Sequence, residues 1–245
     1  MKKMLLAVIP ARYASTRFPG KPLVDIGGKT MIRRVYEQVS LSKAVDRVIV
    51  ATDDRRIFDH VKSFGGEVML TGAEHPSGTD RCAEVAANFP EATHVLNVQG
   101  DEPFIQPEQI DLLAGTLIQQ NACTIATLAK KIENTNDLLN PNIVKVVFSD
   151  EAGALYFSRN PIPFVRGASK EEWLERQTFY KHIGLYGFEA ATLQQIAALS
   201  PTLLERAESL EQLRWLEHGL RIAIGVTTLE TRGIDAPEDL EGLNL

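Results

Sequence analysis

The sequence predicts a doubly wound α/β fold of three layers, and three observations predict it. Short, continuous apolar runs rich in β-branched residues recur along the chain. Segments with helical apolar spacing lie between them, and Gly or Pro marks many of the junctions. At 245 residues the chain is long enough to bury a full core without metal or disulfide staples, as one domain spanning 1–245 with an insert.

Residues 5–9 (LLAVI) read as a first strand, apolar without alternation because helices cover both faces of a parallel sheet. Met31, Ile32, Val35 and Val39 then share one helix face, and residues 48–51 (VIVA) form the next strand. Ile57, Val61 and Phe64 stripe a helix that Gly65-Gly66 stops. A further helix runs through Asn88, residues 95–98 (VLNV) form a strand with one polar break, and Pro107 opens a helix striped by Ile110, Leu113, Leu117 and Ile118. After about Asn134 the rhythm changes. Residues 143–148 and 154–157 read as a hairpin around Asp150-Glu151-Ala152-Gly153, residues 159–163 break structure, and residues 182–188 form another strand. A smaller mixed β segment, inserted at about 135–190, is the expectation. Helices over 190–199 and 203–218 and a strand over 222–226 complete the chain.

The balance of 26 basic against 32 acidic side chains leaves a net charge of -6, which disfavours nucleic acid and anionic membranes as partners. Any anion-binding surface must therefore be local. No apolar run approaches the roughly 20 residues that span a bilayer. The opening MKKMLLAVIPAR reads as a first strand rather than a signal peptide. Cys82 and Cys123 fit no zinc or redox spacing, so a cytoplasmic, reduced, soluble protein is expected.

The first strand-to-helix connection holds the densest chemistry. Between Ala11 and Tyr36 lie Arg12, Arg17, Lys21, Lys29, Arg33 and Arg34, against the single acid Asp25. In open α/β sheets ligands bind outside the carboxyl ends of strands, where this loop lies. Its cations Arg12, Arg17 and Lys21, with the Ser15 and Thr16 hydroxyls, suit a polyphosphate. The alternative is a solvated basic loop. Gly28-Lys29-Thr30 is not a Walker loop, because Leu23 stands where the earlier glycine is required, and no G-x-G-x-x-G occurs. Gly27-Gly28 makes a turn before Thr30, a candidate helix N-cap.

Three further clusters stand out. Asp101, in Asn97-Val98-Gln99-Gly100-Asp101-Glu102-Pro103, follows a strand and a glycine and is placed either to hold Mg²⁺ or to cap a helix. In the segment Glu74 to Arg81, Ser77-Gly78-Thr79 lets backbone approach a flat base, or Ser77 or Thr79 caps the following helix. In Gly233-Ile234-Asp235-Ala236-Pro237-Glu238-Asp239, Asp235 is an N-cap or a second metal ligand. His182 and Tyr186 share a strand face that either packs or meets a ligand. Leu210, Leu213, Trp215, Leu216 and Leu220 read as core or subunit interface. No H-E-x-x-H and no G-x-S-x-G occurs, which argues against zinc and against an α/β-hydrolase.

Taken in order, P-A-R-x-x-S-x-R-F-P-G-K from Pro10 to Lys21, then H-x-S-G-T-D-R, N-V-Q-G-D-E-P, Y-F-S-R-N-P-I-P, H-I-G-L-Y-G-F, L-E-Q-L-R-W-L-E and G-I-D-A-P-E-D-L, resemble the cytidylyltransferases that activate sugar acids. The resemblance covers essentially the whole chain and is closest to the 3-deoxy-manno-octulosonate (Kdo) cytidylyltransferases. That family more often carries Thr where this chain has Ala236, a change that leaves Asp235 intact.

The resemblance implies a nucleotidyltransferase-like sheet and a reaction in which the anomeric hydroxyl of Kdo attacks the α-phosphate of CTP. The products are CMP-Kdo, for lipopolysaccharide synthesis, and pyrophosphate. It implies a nucleotide site of Ala11, Arg12, Arg17, Lys21, Ser77, Gly78, Thr79 and Arg81, with Arg12, Arg17 and Lys21 on the triphosphate and the others of the second loop by the cytosine. Asp101 and Asp235 become Mg²⁺ ligands, and these two with Arg12 and Lys21 form the catalytic set. Gln99, Arg159, His182, Tyr186 and Glu211 become sugar contacts. The family acts in the cytoplasm as a homodimer, to which the insert contributes along with the sugar site.

Such chemistry needs positioning and charge neutralisation more than a protein nucleophile, in keeping with the absence of a Ser or Cys nucleophile motif. Three rivals differ in kind. The first keeps the reaction and exchanges the acceptor for sialic acid or an amino-substituted Kdo. A sugar-1-phosphate nucleotidyltransferase usually carries G-G-x-G-x-R where this chain has Pro10-Ala11-Arg12. A non-catalytic nucleotide-binding protein need not keep Asp101, Asp235 and the three loop cations.

Overall fold

The structure is a computed structural model, and it describes residues 3–14, 18–119, 123–151, 153–230, 233–234 and 236–240. Strand β1 (Leu5–Ala11) buries both of its faces. Leu5, Ala7 and Ile9 enter one apolar cluster, and Leu6 and Val8 enter the other. That is why the run is continuous rather than alternating. A two-residue hairpin follows, β2 (Asp25–Ile26) and β3 (Lys29–Thr30), turned by Gly27 and Gly28 at φ 60° and 81°. Thr30 occupies the N-cap position of α1 (Met31–Ser40), yet its hydroxyl bonds His60 Nε2 at 2.7 Å instead of the helix.

The chain continues through β4 (Arg47–Thr52), α2 (Arg55–Ser63), β5 (Val68–Leu70), α3 (Gly78–Ala87), β6 (His94–Asn97) and α4 (Pro107–Gln119). Then come β7 (Ile125–Lys131), α5 (Thr135–Leu139), the hairpin β8 (Lys145–Ser149) and β9 (Gly153–Ser158), and α6 (Trp173–Arg176). The last elements are β10 (Tyr180–Glu189), α7 (Ala190–Ala197), α8 (Leu203–Glu208), α9 (Gln212–Glu217) and β11 (Ile222–Thr227).

The strand order is β11-β7-β10-β6-β1-β4-β5, with β10 antiparallel to its two neighbours β6 and β7 and the other pairings along this path parallel. Apolar stripes of α1, α2 and α4 cover one face, and those of α3, α7 and α9 the other, giving three layers. From β1 the chain moves outward to β4 and β5, then returns through α3 to β6 on the other side of β1. The reversal opens a crevice at the carboxyl ends of β1 and β6, where ligands bind in sheets of this kind.

The second half departs from the expected layout in two places. The strand over 182–188 runs through the middle of the main sheet as β10, while the β8–β9 hairpin branches from it through the pair Lys181 and Lys145. The helix expected over 203–218 is two, because Ser209 takes a left-handed conformation with φ 52° at the end of α8. Capping Thr202 with Glu205 starts α8, and Arg214 of α9 bonds Glu205 Oε2 at 2.8 Å across the break. No helix among the described residues is long and apolar enough to cross a membrane.

Candidate active site

A cavity of about 410 Å³ opens at the crevice, lined by Pro10, Ala11, Arg12 and Lys21 of the first loop, Gly78 of α3, and Gln99, Gly100 and Asp101 after β6. Its walls meet closely because glycine stands where they touch. A Cβ at Gly100 would sit 2.7 Å from the Pro10 carbonyl oxygen, and one at Gly78 would sit 3.2 Å from Pro10 Cγ. Real Cβ atoms do not tolerate the first distance, so Gly100 is fixed by the close approach of backbone.

The neck of the basic loop is closed by Gly20 N–H donating to the Tyr13 carbonyl at 2.9 Å. Gly20 takes φ 74°, which a side chain would strain. Arg12 reaches across the cavity and donates to the carbonyls of His75 and Ser77. Lys21 donates to Asp101 Oδ2 at 2.8 Å and to the Ile234 carbonyl at 2.9 Å. Arg17 and Asp235, with Ser15 and Thr16, lie outside the described residues.

Ile234 also donates its N–H to the Asp101 carbonyl at 3.0 Å, and its side chain is buried with Ile26 and Met31. The residue that precedes Asp235 in sequence is thereby fixed beside Asp101, across more than half the chain. The short 3₁₀ turn that follows spans Pro237–Leu240, so the cap position belongs to Ala236, whose N–H bonds Asp239 Oδ2 at 2.9 Å.

The opposite wall is the start of α3. Ser77 caps it, accepting from Thr79 and Asp80 N–H groups in a capping box with Asp80, as one of the two sequence readings held. The Thr79 hydroxyl donates to Glu211 at 2.8 Å, and the Ser77 hydroxyl, 2.6 Å from Asp80 Oδ2, lies 3.1 Å from the same Glu211 carboxyl, which joins the segment 77–79 to the start of α9. Arg81 is fully buried one turn on, with Nη1 donating to Thr71 Oγ1 and Nη2 3.5 Å from Asp53. Burial lowers its pKa, with the Asp53 charge opposing.

Burial pushes the Glu211 carboxyl up despite the two hydroxyls that favour its charge. An acid with a raised folded-state pKa carries no penalty below its unfolded pKa of about 4.3, and loses stability as pH rises from there through the folded value. Glu211→Gln is therefore expected to raise the melting temperature relative to wild type more at about pH 8 than at about pH 4. Paired melts at the two pH values check it; a flat or reversed difference contradicts the cause.

The expected sugar contacts lie on the same side of the sheet as α3 and α9. The His182 and Tyr186 rings are 5.3 Å apart, and Tyr186 sits under Trp215. Burial lowers the His182 pKa to about 3, and burial followed by the charge of Glu211 raises that of Tyr186. Gln99 donates to Asn97 Oδ1 at 3.4 Å, and Asn97 pairs in register with Tyr186. Arg159 spends its donors on the carbonyls of Glu208, Pro141 and Ser209, tying the end of β9 to α8 two residues before Glu211. Two of its five N–H groups are left.

Two residues gave little sign of their place. Asn97 showed only as the polar break in an apolar strand. Thr127 lies in β7, an alanine-rich strand without a β-branched run, and its hydroxyl meets His182 only through the register of β10.

A Rossmann-like sheet with a basic loop at its switch point is the layout of a nucleotidyltransferase, and the cytidylyltransferase family matches residues 6–222. The 3-deoxy-manno-octulosonate cytidylyltransferase of Cytophaga hutchinsonii is 56% identical over 238 residues, 96% of this chain and 94% of its own. That of Parabacteroides distasonis is 54% identical over 241 residues, 96% of this chain and 95% of its own. The solved CMP:2-keto-3-deoxy-manno-octonic acid synthetase complexed with CTP superposes with a TM-score of 0.91 at 41% identity, covering 98% of this chain and 96% of that one. The chain belongs to the 3-deoxy-manno-octulosonate cytidylyltransferase family.

Proposed function

We propose that the protein transfers CMP from CTP to the anomeric hydroxyl of Kdo. The observation that carries the reading is the switch-point cavity that gathers Arg12, Lys21 and Asp101 between the two nucleotide loops. The hydroxyl oxygen bonds the α-phosphorus, the bond from that phosphorus to the bridging oxygen of the β-phosphate breaks, and pyrophosphate leaves while the hydroxyl proton is lost. Arg12 and Lys21 bind the triphosphate and offset the charge that builds on the departing pyrophosphate. Arg17 joins them. Ser77, Gly78 and Thr79 lie by the base, while Arg81, expected there too, is buried between Thr71 and Asp53 and supports that segment from behind. Gln99, Arg159, His182, Tyr186 and Glu211 orient the sugar acid.

The donor set fits Mg²⁺. Asp101 Oδ2 and the Ile234 carbonyl are hard oxygens that already hold one cation, the Lys21 ammonium. One or two carboxylates with substrate phosphates are the usual complement of this ion. Asp101 and Asp235 would hold it, and when bound it neutralises phosphate charge and lowers the pKa of the attacking hydroxyl. The protein is proposed to act in the cytoplasm as a homodimer, and support for the dimer comes from the insert, where Leu155 and Phe164 are 55% and 73% exposed. Light scattering at twice the chain mass checks the dimer.

Incubation with CTP, Kdo and Mg²⁺ should yield a CMP ester of Kdo and one pyrophosphate per CTP consumed, read by mass spectrometry. CTP consumption without that ester would overturn the reading. Lys21→Ala should lower kcat/KM for CTP roughly 10- to 150-fold, the worth of a charged hydrogen bond of about 1.5–3 kcal/mol. Its melting temperature should hold, since the Asp101 partner is one-third exposed. Unchanged kinetics would remove Lys21 from the site.

A further inference from the structure

The register of β10 on β7 slips between Ile183 and Tyr186. Into the slip points the Thr127 hydroxyl, 2.7 Å from the Leu185 carbonyl, 3.1 Å from the Ile183 carbonyl and 2.9 Å from His182 Nε2. A hydroxyl has one proton to give, and carbonyl oxygens only accept. Were the proton given to His182, two carbonyls would face a hydroxyl lone pair in a buried strand. The proton therefore goes to the carbonyls, and Oγ1 accepts in its third contact, so Nε2 carries the ring hydrogen.

The ring is neutral at physiological pH, because burial pushes its pKa to about 3. A neutral imidazole has a single N–H, and the partner of one nitrogen fixes the state of the other. With Nε2–H spent on Thr127, Nδ1 is left with a lone pair. Phe157 and Tyr186 hold the ring edgewise and tilted at 5.1 and 5.3 Å, which limits its rotation.

We propose that Thr127 is a positioning residue for the transfer reaction. It locks His182 in the Nε2–H tautomer and so presents Nδ1 as an acceptor for a hydroxyl of the sugar acid. This rests on the reading of His182 as a sugar contact.

Nitrogen-15 NMR of histidine-labelled protein tests the lock. In the wild type His182 Nε2 should resonate as a pyrrole-type nitrogen and Nδ1 as a pyridine-type one, and saturating Kdo should move the Nδ1 signal. Thr127→Ser should keep both the tautomer and the kinetics. Thr127→Val should shift the ring mostly to the Nδ1–H tautomer and so raise the Kdo KM roughly 10-fold, as the acceptor form falls to about a tenth of the molecules, with the CTP KM within about twofold. An Nδ1–H tautomer in the wild type, or a wild-type tautomer in Thr127→Val, would overturn the lock. If the valine variant does not fold, the wild-type and serine spectra decide. An Nδ1 signal unmoved by Kdo would overturn the acceptor role, while CMP ester formation would still stand or fall by its own assay.

Discussion

Asp101→Asn is expected to keep the fold and lose turnover by roughly 10²-fold or more, the cost of removing preorganised charge at a phosphoryl-transfer site. Asparagine keeps the shape and one acceptor oxygen, so the 2.8 Å contact survives as a hydrogen bond from the Lys21 ammonium to an uncharged acceptor. The stability of a partly exposed ion pair is worth about 0–1 kcal/mol, too little to unfold the chain. Asp235→Asn is expected to behave alike, because Ile234 is pinned to the Asp101 backbone and both carboxylates are proposed to serve one metal centre. The cap position of the following turn belongs to Ala236, so a purely structural Asp235 predicts almost no effect of the near-isosteric asparagine. The double variant should be little worse than either single one, as for groups acting as a unit. Pyrophosphate release at saturating CTP and Kdo measures all three. Near-normal Mg²⁺-dependent turnover in either single variant would take that residue out of the metal site.

Trp215→Ala should cost about 3–5 kcal/mol of stability, the range for deleting a buried aromatic. Trp215 is fully buried in α9, with its ring edge-on to Tyr186 at 5.0 Å and Phe188 at 5.4 Å. Its indole N–H makes no hydrogen bond, so its contribution is packing. For a chain of this length the loss corresponds to a fall of roughly 6–20 °C in melting temperature. The Kdo KM should rise as well, since Tyr186 loses one of the rings that hold it. Urea titration with thermal melts measures the cost; a loss under about 1 kcal/mol would show that neighbouring side chains close the cavity.

The parallel strands were legible because burial on both faces leaves a continuous apolar run, as in Leu5–Ala11 and Arg47–Thr52. Ile125–Lys131 was not, since alanine and threonine fill a strand covered by larger neighbours and carry little propensity of their own. Residues 182–188 read as a strand, but no local signal says that it inserts between β6 and β7, because strand order is set by the whole chain. The break at Ser209 was hidden for a related reason: a helical stripe runs through it, and the Arg159 and Glu208 contacts that fix the loop are long-range.

At the site, the loop cations and Asp101 were readable from residue type and position after a strand. The convergence of Lys21 and Asp101 on Ile234 was not, nor was the double duty of Ser77, which caps α3 and also bonds Glu211. Sequence posed capping and ligand binding as alternatives there. One hydroxyl with two lone pairs and a proton allows a cap and a second partner together.

Pyrophosphate release with each of CTP, UTP, ATP and GTP, against Kdo, amino-substituted Kdo and sialic acid, tests the assigned reaction most directly. The expected result is Mg²⁺-dependent release with CTP and Kdo that exceeds every other pairing. Comparable turnover of ATP or GTP, a preference for sialic acid over Kdo, or no release with CTP and any of the acids would contradict it.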